Sequence, residues 1–396
     1  MDSSSLHVTD RPLAPNFFAL ATGGLDGPEL KPTAAQGQPC APLAMLRESL
    51  LSALQRPPCV VLFSGGVDST LILAVATSVA REYALPLPIP FTRRFPALPE
   101  TDESALQELV ISRLGLDDWY RIDYATELDL IGDEAQRLLC VEGVLFPAPL
   151  YAWAPPLRFA RGGSVVTGEG GDELFGPRRG GAAAYAARTL LRQPRRAPRV
   201  ASYLWRELTP RVLRRQRIRS ELNEATFPWL TPTASAAVID RLVFESADEP
   251  LNRHRAIDRL FARGAIRVGM HNYEWLSAVH DVQLVQPLFD SRMVASVVAH
   301  APRRAQVGRS RLIGAMLPGI VPDEVLYRTT KATFNRAYFT AVSRDFAASW
   351  DGSGMDESIV NVDALRTEWL SHTPSVMTFS LLQWAWLHAR GVGAHG

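Results

Sequence analysis

Lysine is almost absent from this chain. Of 42 basic residues among 396, two are lysines, Lys31 and Lys331, and the rest are arginines. GC-rich coding produces such a skew without a functional cause. It also makes a retained lysine worth following, because a planar guanidinium does not mimic a compact ammonium on a flexible stem. Cysteine is scarce as well. Cys40, Cys59 and Cys140 are odd in number and far apart, which suits a reducing cytoplasm, and no CxxC or CxxH spacing offers a zinc site. No uninterrupted apolar run of about 18 residues occurs, so no membrane span is expected. The opening MDSSSLHVTD lacks the basic and apolar regions of a signal peptide. A net charge of +1 gives no global field toward nucleic acid or membrane. What is present, 47% hydrophobic and 21% charged residues, fits a globular protein of two to three domains with ample chain for a core.

Residues 1–44 are rich in Pro, Gly, Ser and Thr, with an apolar patch at Phe17 to Leu20, and read as an arm or small appendage. Within them ATGGLDG (21–27) is a turn rather than a phosphate loop, since Pro28 and Pro32 prevent a following helix. Residues 45–185 alternate strand and helix patterns. A helix from Pro42 to Leu54 precedes the β-branched run CVVLF (59–63), and an apolar helix follows from about Ser69 to Tyr83. PIPFT (88–92), YRIDY (120–124) and SVVTG (164–168) read as further strands, with helices at 101–116, capped by Thr101 or Asp102, and at 128–140. The expectation is a doubly wound parallel α/β sheet. Residues 186–396 read as a mainly helical, substrate-side domain without a credible run of strands. Eleven arginines fall between Arg188 and Arg219 against one acid, Glu207. Solvated helix faces account for them, with an acidic peptide the next reading, and nucleic acid is not expected as a partner.

Two motifs carry chemistry. In SGGVDS (64–69), Gly65 and Gly66 let backbone N–H groups turn inward after a strand, and the helix start adds its positive end. Ser64 and Ser69 supply hydroxyl donors to phosphate oxygens, and Asp68 supplies a hard oxygen for Mg²⁺. The Walker pattern GxxxxGK[ST] is absent. About 100 residues later GEGGDELFG (168–176), at another strand end, exposes Glu169, Asp172 and Glu173 at the edge where open α/β sheets bind ligands. One carboxylate there suits the Mg²⁺ shell and another an amine proton. Gly168 and Gly170 are small turn positions of that motif and candidates for binding the same phosphates.

Together these motifs resemble the synthetase domain of the asparagine synthetase family, which includes β-lactam synthetases and lasso-peptide macrolactam synthetases. PETDESALQELVISRLGL (99–116) is similar to the family's acidic helix, QPLFDSRMV (286–294) to its Pro-aromatic-Asp segment, and LPGIVPDEVLYRTTKATF (317–334) to its closing segment. The resemblance covers about residues 45–390 and implies a fold of the PP-loop ATP pyrophosphatase type. It implies an ATP- and Mg²⁺-dependent ligase that forms AMP and pyrophosphate while coupling a carboxylate to an amine. By it, Asp68 and Asp172 hold Mg²⁺, Glu169 acts on the amine, and Lys331 neutralises charge on the α-phosphate and departing pyrophosphate. His271, Glu274 and Asp290 are candidates for the acyl site, although helix packing and capping explain His271 and Glu274 as readily.

The chain departs from the pattern in two places. Glutamine-dependent members carry a cysteine after the initiator Met, heading an amidotransferase domain, whereas residue 2 here is Asp2. The family's Glu and Arg before the Pro-aromatic-Asp segment are Gln283 and Val285. That loss suits the macrolactam-forming branch, with a precursor peptide and its leader protease as partners, better than ammonia-dependent asparagine synthesis. A PP-loop tRNA-modifying enzyme is the more distant alternative. Glutamine is therefore not expected to supply nitrogen. Purified chain incubated with glutamine should release no glutamate above a blank, and release would contradict this reading.

Overall fold

β1 (Cys59–Leu62) owes its place to uninterrupted apolar sequence, since a strand covered on both faces has no polar side to show. In the computed structural model, which describes residues 11–24, 39–178, 191, 205, 208–222, 226–301 and 308–391, β2 (Ile89–Arg94), β3 (Tyr120–Asp123), β4 (Ser164–Val166) and β5 (Gln283–Val285) join it. All pairings are parallel, in the order β3-β2-β1-β4-β5. Val61 and Val166, partners across β1 and β4, belong to the core under the helices Pro42–Leu54, Val67–Glu82 and Ser291–His300. Val60 and Val165 point the other way, against Leu150, Trp153, Leu157 and Trp275. The expected doubly wound α/β sheet is thus present.

Three expectations need correction. β5 lies within the region read as mainly helical without a credible run of strands; three residues are too short for a periodic signal, and backbone pairing with β4 defines the strand. The helix expected over 101–116 begins at Ser104, after a 3₁₀ turn at Pro99–Thr101. Thr101 donates to the Leu98 carbonyl at 2.7 Å instead of capping, while Asp102 accepts from the Ser104 N–H at 2.9 Å, ahead of the first helical turn. The helix expected over 128–140 is Asp133–Glu142, because the preceding residues turn around buried Asp129.

A third core joins the far helices to the rest. The Trp-rich helix Phe379–Ala389 is packed there as expected, with Leu381 and Leu382 fully buried. The arm's Phe17–Ala21 forms a short helix against it, Phe17 and Trp384 meeting edge to face. Gly23 and Gly24 follow in left-handed conformations, as a turn requires. Most of the arginine-rich stretch 188–219 lies outside the described residues. Its described part, the helix Arg211–Glu221, pairs internally: Arg214 donates to the Ala247 carbonyl, and Arg211 and Arg215 lie 3.5 Å from Asp248.

Asp129 ties the sheet side to this helical side. Its carboxylate accepts from the Thr340 N–H at 2.7 Å and hydroxyl at 2.6 Å, from the Ser343 hydroxyl at 2.6 Å, and from the Ile131 N–H at 3.0 Å. Asp129→Ala would leave these donors buried and unmatched. A loss of about 3 kcal/mol is expected in urea denaturation, and a loss under about 1 kcal/mol would show that the donors find other partners.

Candidate active site

The strand order reverses between β1 and β4, and ligands of open α/β sheets bind beyond the carboxyl ends of strands at such a point. SGGVDS leaves β1 and GEGGDE leaves β4, so chain segments a hundred residues apart become neighbours. Gly65 adopts φ +83°, a conformation that favours glycine. Gly66 starts the helix Val67–Glu82 without a side-chain cap, leaving its first N–H groups available to an anion. The Ser64 and Ser69 hydroxyls lie 3.1 Å apart, and Ser64 Oγ accepts from the Gly66 N–H at 3.2 Å. From the second loop, Gly168 abuts the backbone of Asp68 and Gly171 abuts its carboxylate; a Cβ at either would collide.

A cavity of about 700 Å³ opens over these loops. Its walls include Ser64, Gly66, Asp68, Ser69, Gly168, Glu169, Gly170, Asp172 and Lys331, so the two motifs and the retained lysine share one space. Gly65 is absent from the walls and acts through the turn, its α-carbon facing Gln107. Three other expected residues lie elsewhere. His271 Nε2 meets the Arg11 carbonyl at 3.2 Å, and half-buried Glu274 sits near His271 and Arg267, with burial raising its pKa. Asp290 caps the helix Ser291–His300, accepting from the Arg292 N–H at 2.8 Å and from the Arg292 guanidinium.

Charge in the cavity is arranged around Asp68 and Asp172. Arg309 bridges them, paired with Asp68 and 3.1 Å from Asp172. Lys331 Nζ reaches the other oxygen of Asp172 at 3.2 Å, with its side chain 73% exposed. Burial pushes the Asp68 carboxyl up to about 6, against the opposing pull of Arg309. Glu169 is exposed to the cavity. Desolvation by the protein packed around it pushes its carboxyl up to about 7, opposed by Arg93 and aided by Glu173.

Among the described residues no group of three or more His, Cys, Asp or Glu could hold a metal alone. Magnesium does not need one, since it is commonly bound by one or two carboxylates with substrate phosphates completing the shell. Among the described residues Asp68 Oδ1 has no hydrogen-bond partner although it is buried, which fits a hard cation arriving with the nucleotide.

Several residues that shape the cavity were not singled out by the motifs. Glu103, its side chain 7% exposed, accepts from Arg328 at 2.7 Å and from the Ala332 N–H at 3.0 Å, and so grips the loop bearing Lys331 from both sides. Gln107, one helical turn on, donates to the Ser64 carbonyl at 3.0 Å. One helix start thereby sets both the phosphate turn and the lysine loop. Arg93, Arg309 and Tyr338 also line the cavity. A faint signal existed for Glu103 and Gln107, which lie in the acidic helix segment, and for Arg328 in the closing segment.

A parallel α/β sheet with a phosphate turn and a facing carboxylate loop at its switch point defines a nucleotide-binding protein of the PP-loop class. The profile of the asparagine synthase family matches residues 44–389, and the chain belongs to that family. It is accordingly an ATP-dependent amide ligase, from a family whose domains use ATP and Mg²⁺. No curated protein sequence matches the chain at a significant level. Among the described residues no helix is long and apolar enough to cross a membrane.

Gly171→Ala should displace the Asp68 carboxylate. Turnover at saturating ATP and Mg²⁺ should fall by about a hundredfold, the scale of an ångström-sized misplacement. Gly269→Ala is the control, since its Cβ would meet Pro147 at an ordinary 3.5 Å. Equal rates in the two variants would show that the Asp68 position is not critical.

Proposed function

We propose that the chain adenylates a peptide carboxylate, releases pyrophosphate, and couples the acyl group to an amine of the same peptide with release of AMP. The product is a macrolactam, as in lasso-type peptide maturation, formed in the cytoplasm alongside a leader protease. The observation that carries this reading is one cavity with two kinds of lining. The phosphate turn, Asp68, Asp172 and Lys331 make it polar, and Phe91, Phe95, Trp153, Phe334 and Tyr338 add a large aromatic surface. A bulky acyl group suits that aromatic surface better than free aspartate does. Gln283 and Val285 of β5 do not line the cavity, so the acid–arginine pair of the family pattern is not available there. Ammonia-dependent asparagine synthesis is the alternative.

The residues divide the work. The Gly66 region, Ser64 and Ser69 bind phosphate oxygens at the helix start. Asp68 and Asp172 would hold Mg²⁺, which when bound offsets phosphate charge. The carboxylate oxygen attacks the α-phosphorus, and the bond to the β-phosphate breaks. Negative charge moves to the departing pyrophosphate, where Lys331 stabilises it; a cation matters most where charge develops. The amine then attacks the acyl carbon, AMP leaves, and Glu169 takes the amine proton.

Four outcomes follow. Label from α-labelled ATP should appear in AMP and none in ADP; label in ADP would end this reading. Core peptide should lose one water on incubation with Mg·ATP, while aspartate and ammonium should yield no asparagine; the reverse would favour the alternative. Because Glu169 acts as base only when ionised, aminolysis should rise with pH through about 7 and level off, and Glu169→Gln should abolish that rise. Lys331→Arg should lose about a hundred- to a thousandfold in rate despite conserved charge, with Lys31→Arg as control. More than half the rate retained would remove the charge-following role.

A further inference from the structure

The helix Gly171–Phe175, which carries Asp172, packs against the helix Arg253–Phe261, none of whose residues lines the cavity. Ile257 shares a core with Leu174 and Phe175, and Phe261 meets Phe289 at 5.0 Å. Phe289 in turn lies against Gly170. At the other end Arg253 is buried, and its Nη2 donates to the Leu174 carbonyl at 2.9 Å and to the Gly176 carbonyl at 3.2 Å. Arg178 donates to the Glu173 carbonyl, so two guanidiniums hold three carbonyls at the end of one short helix.

Arg253 is badly placed for a role within its own helix. It occupies the first helical position, where the positive end of the helix disfavours a cation, and no acid shares that turn. Burial pushes its pKa down to about 10, the neighbouring Arg178 charge adding to the effect, and the guanidinium still carries its proton at neutral pH. Nε and Nη1 are buried without a hydrogen-bond partner among the described residues. Its described hydrogen bonds all go to the carboxylate helix and its cap. From there the path to Asp172 is short. The Gly176 N–H donates to the Asp172 carbonyl at 3.0 Å, and a Cβ on Gly176 would lie 2.2 Å from that oxygen. The Asp172 side chain is 58% exposed, so its backbone, more than packing around it, sets where its oxygens stand.

We infer that Arg253 is a positioning residue for Asp172: it grips the Leu174 and Gly176 carbonyls and thereby fixes, through the Gly176–Asp172 hydrogen bond, the carboxylate that meets the metal. This rests on the reading of Asp172 as a Mg²⁺ ligand and adds the residue that sets its place. Mg²⁺ demands near-octahedral geometry with oxygens about 2.1 Å away, so a small shift of one ligand weakens the site. Groups that orient metal ligands without touching the metal commonly carry such effects.

The test counts bound Mn²⁺ by electron paramagnetic resonance on the full chain saturated with α,β-methylene-ATP, which cannot be cleaved at the α–β bridge. Circular dichroism establishes that each variant is folded at the temperature used. Arg253→Met should weaken Mn²⁺ binding by about tenfold, the lower end of the range for groups that orient metal ligands. Arg253→Lys keeps donors and charge and should recover most of the affinity. Arg214→Met is the matched control, since Arg214 is also buried and also holds backbone carbonyls, those of Thr209 and Ala247. It should lower the melting temperature and leave Mn²⁺ affinity within about twofold. Should Arg253→Met not fold, Arg253→Gln, too short to reach both carbonyls, takes its place with the same loss expected. Unchanged Mn²⁺ affinity in the folded Met or Gln variant, a loss as large in Arg253→Lys, or an equal loss in Arg214→Met would overturn the positioning role. Asp172→Asn separates the two readings. Weaker Mn²⁺ binding there but not in Arg253→Met removes the positioning alone, whereas unchanged binding in Asp172→Asn removes the metal reading beneath it.

Discussion

Asp68 and Asp172 must stand side by side in a partly buried pit, and like charges there repel. The geometry of the site answers that repulsion. Gly168 and Gly171 allow the second loop to lie against Asp68 with no side chain between them. The approach is close enough that Asp172 adds to the upward push on the Asp68 carboxyl. Two cations from distant parts of the chain then converge, Arg309 from a helix start and Lys331 from a loop. Parallel pairing of β1 with β4 makes the meeting possible, because it brings two strand ends to the same edge.

The loop carrying Lys331 has little regular structure of its own between the helices Asp323–Leu326 and Asn335–Tyr338. It is held from the β2 side instead. Glu103 binds Arg328 and the Ala332 N–H, Glu100 pairs with Arg336 at 2.8 Å, and the Glu100 carbonyl accepts from the Thr333 N–H at 3.3 Å. The same helix start reaches the phosphate turn through Gln107. Asp129 fixes the segment after Tyr338 through Thr340 and Ser343. Acids outside the cavity's centre thus position the groups inside it.

The sheet and its two loops were legible because their signals are local: β-branched runs, then glycines, then a helix pattern. β5 was not, since a three-residue strand has no period and exists through its pairing with β4. The capping expectation at 101–102 failed for a related reason. The sequence around Asp102 looks like a helix start, while the position before the helix is Glu103, whose carboxylate is drawn to Arg328 and Ala332. Arg93 and Arg309 were hidden by number, two arginines among dozens, and burial and partners alone set them apart. His271, Glu274 and Asp290 were close in sequence to a suggestive segment, but proximity along the chain did not bring them to the cavity walls.

The scarcity of lysine takes on a structural meaning in this cavity. Arg309 and Arg328 each join fixed groups, two carboxylates in one case and the buried Glu103 in the other. A planar guanidinium suits such bridging, because its donors point in set directions and little freedom remains to be lost. Lys331 has the opposite setting: one partner at 3.2 Å, a largely exposed side chain, and an irregular loop beneath it. A compact charge on a flexible stem can stay with a phosphate group as that group moves away, whereas a held guanidinium favours one geometry. Under the proposed adenylation the division of cations in the site follows from that difference, with arginine where charge stays and lysine where charge would follow the departing pyrophosphate.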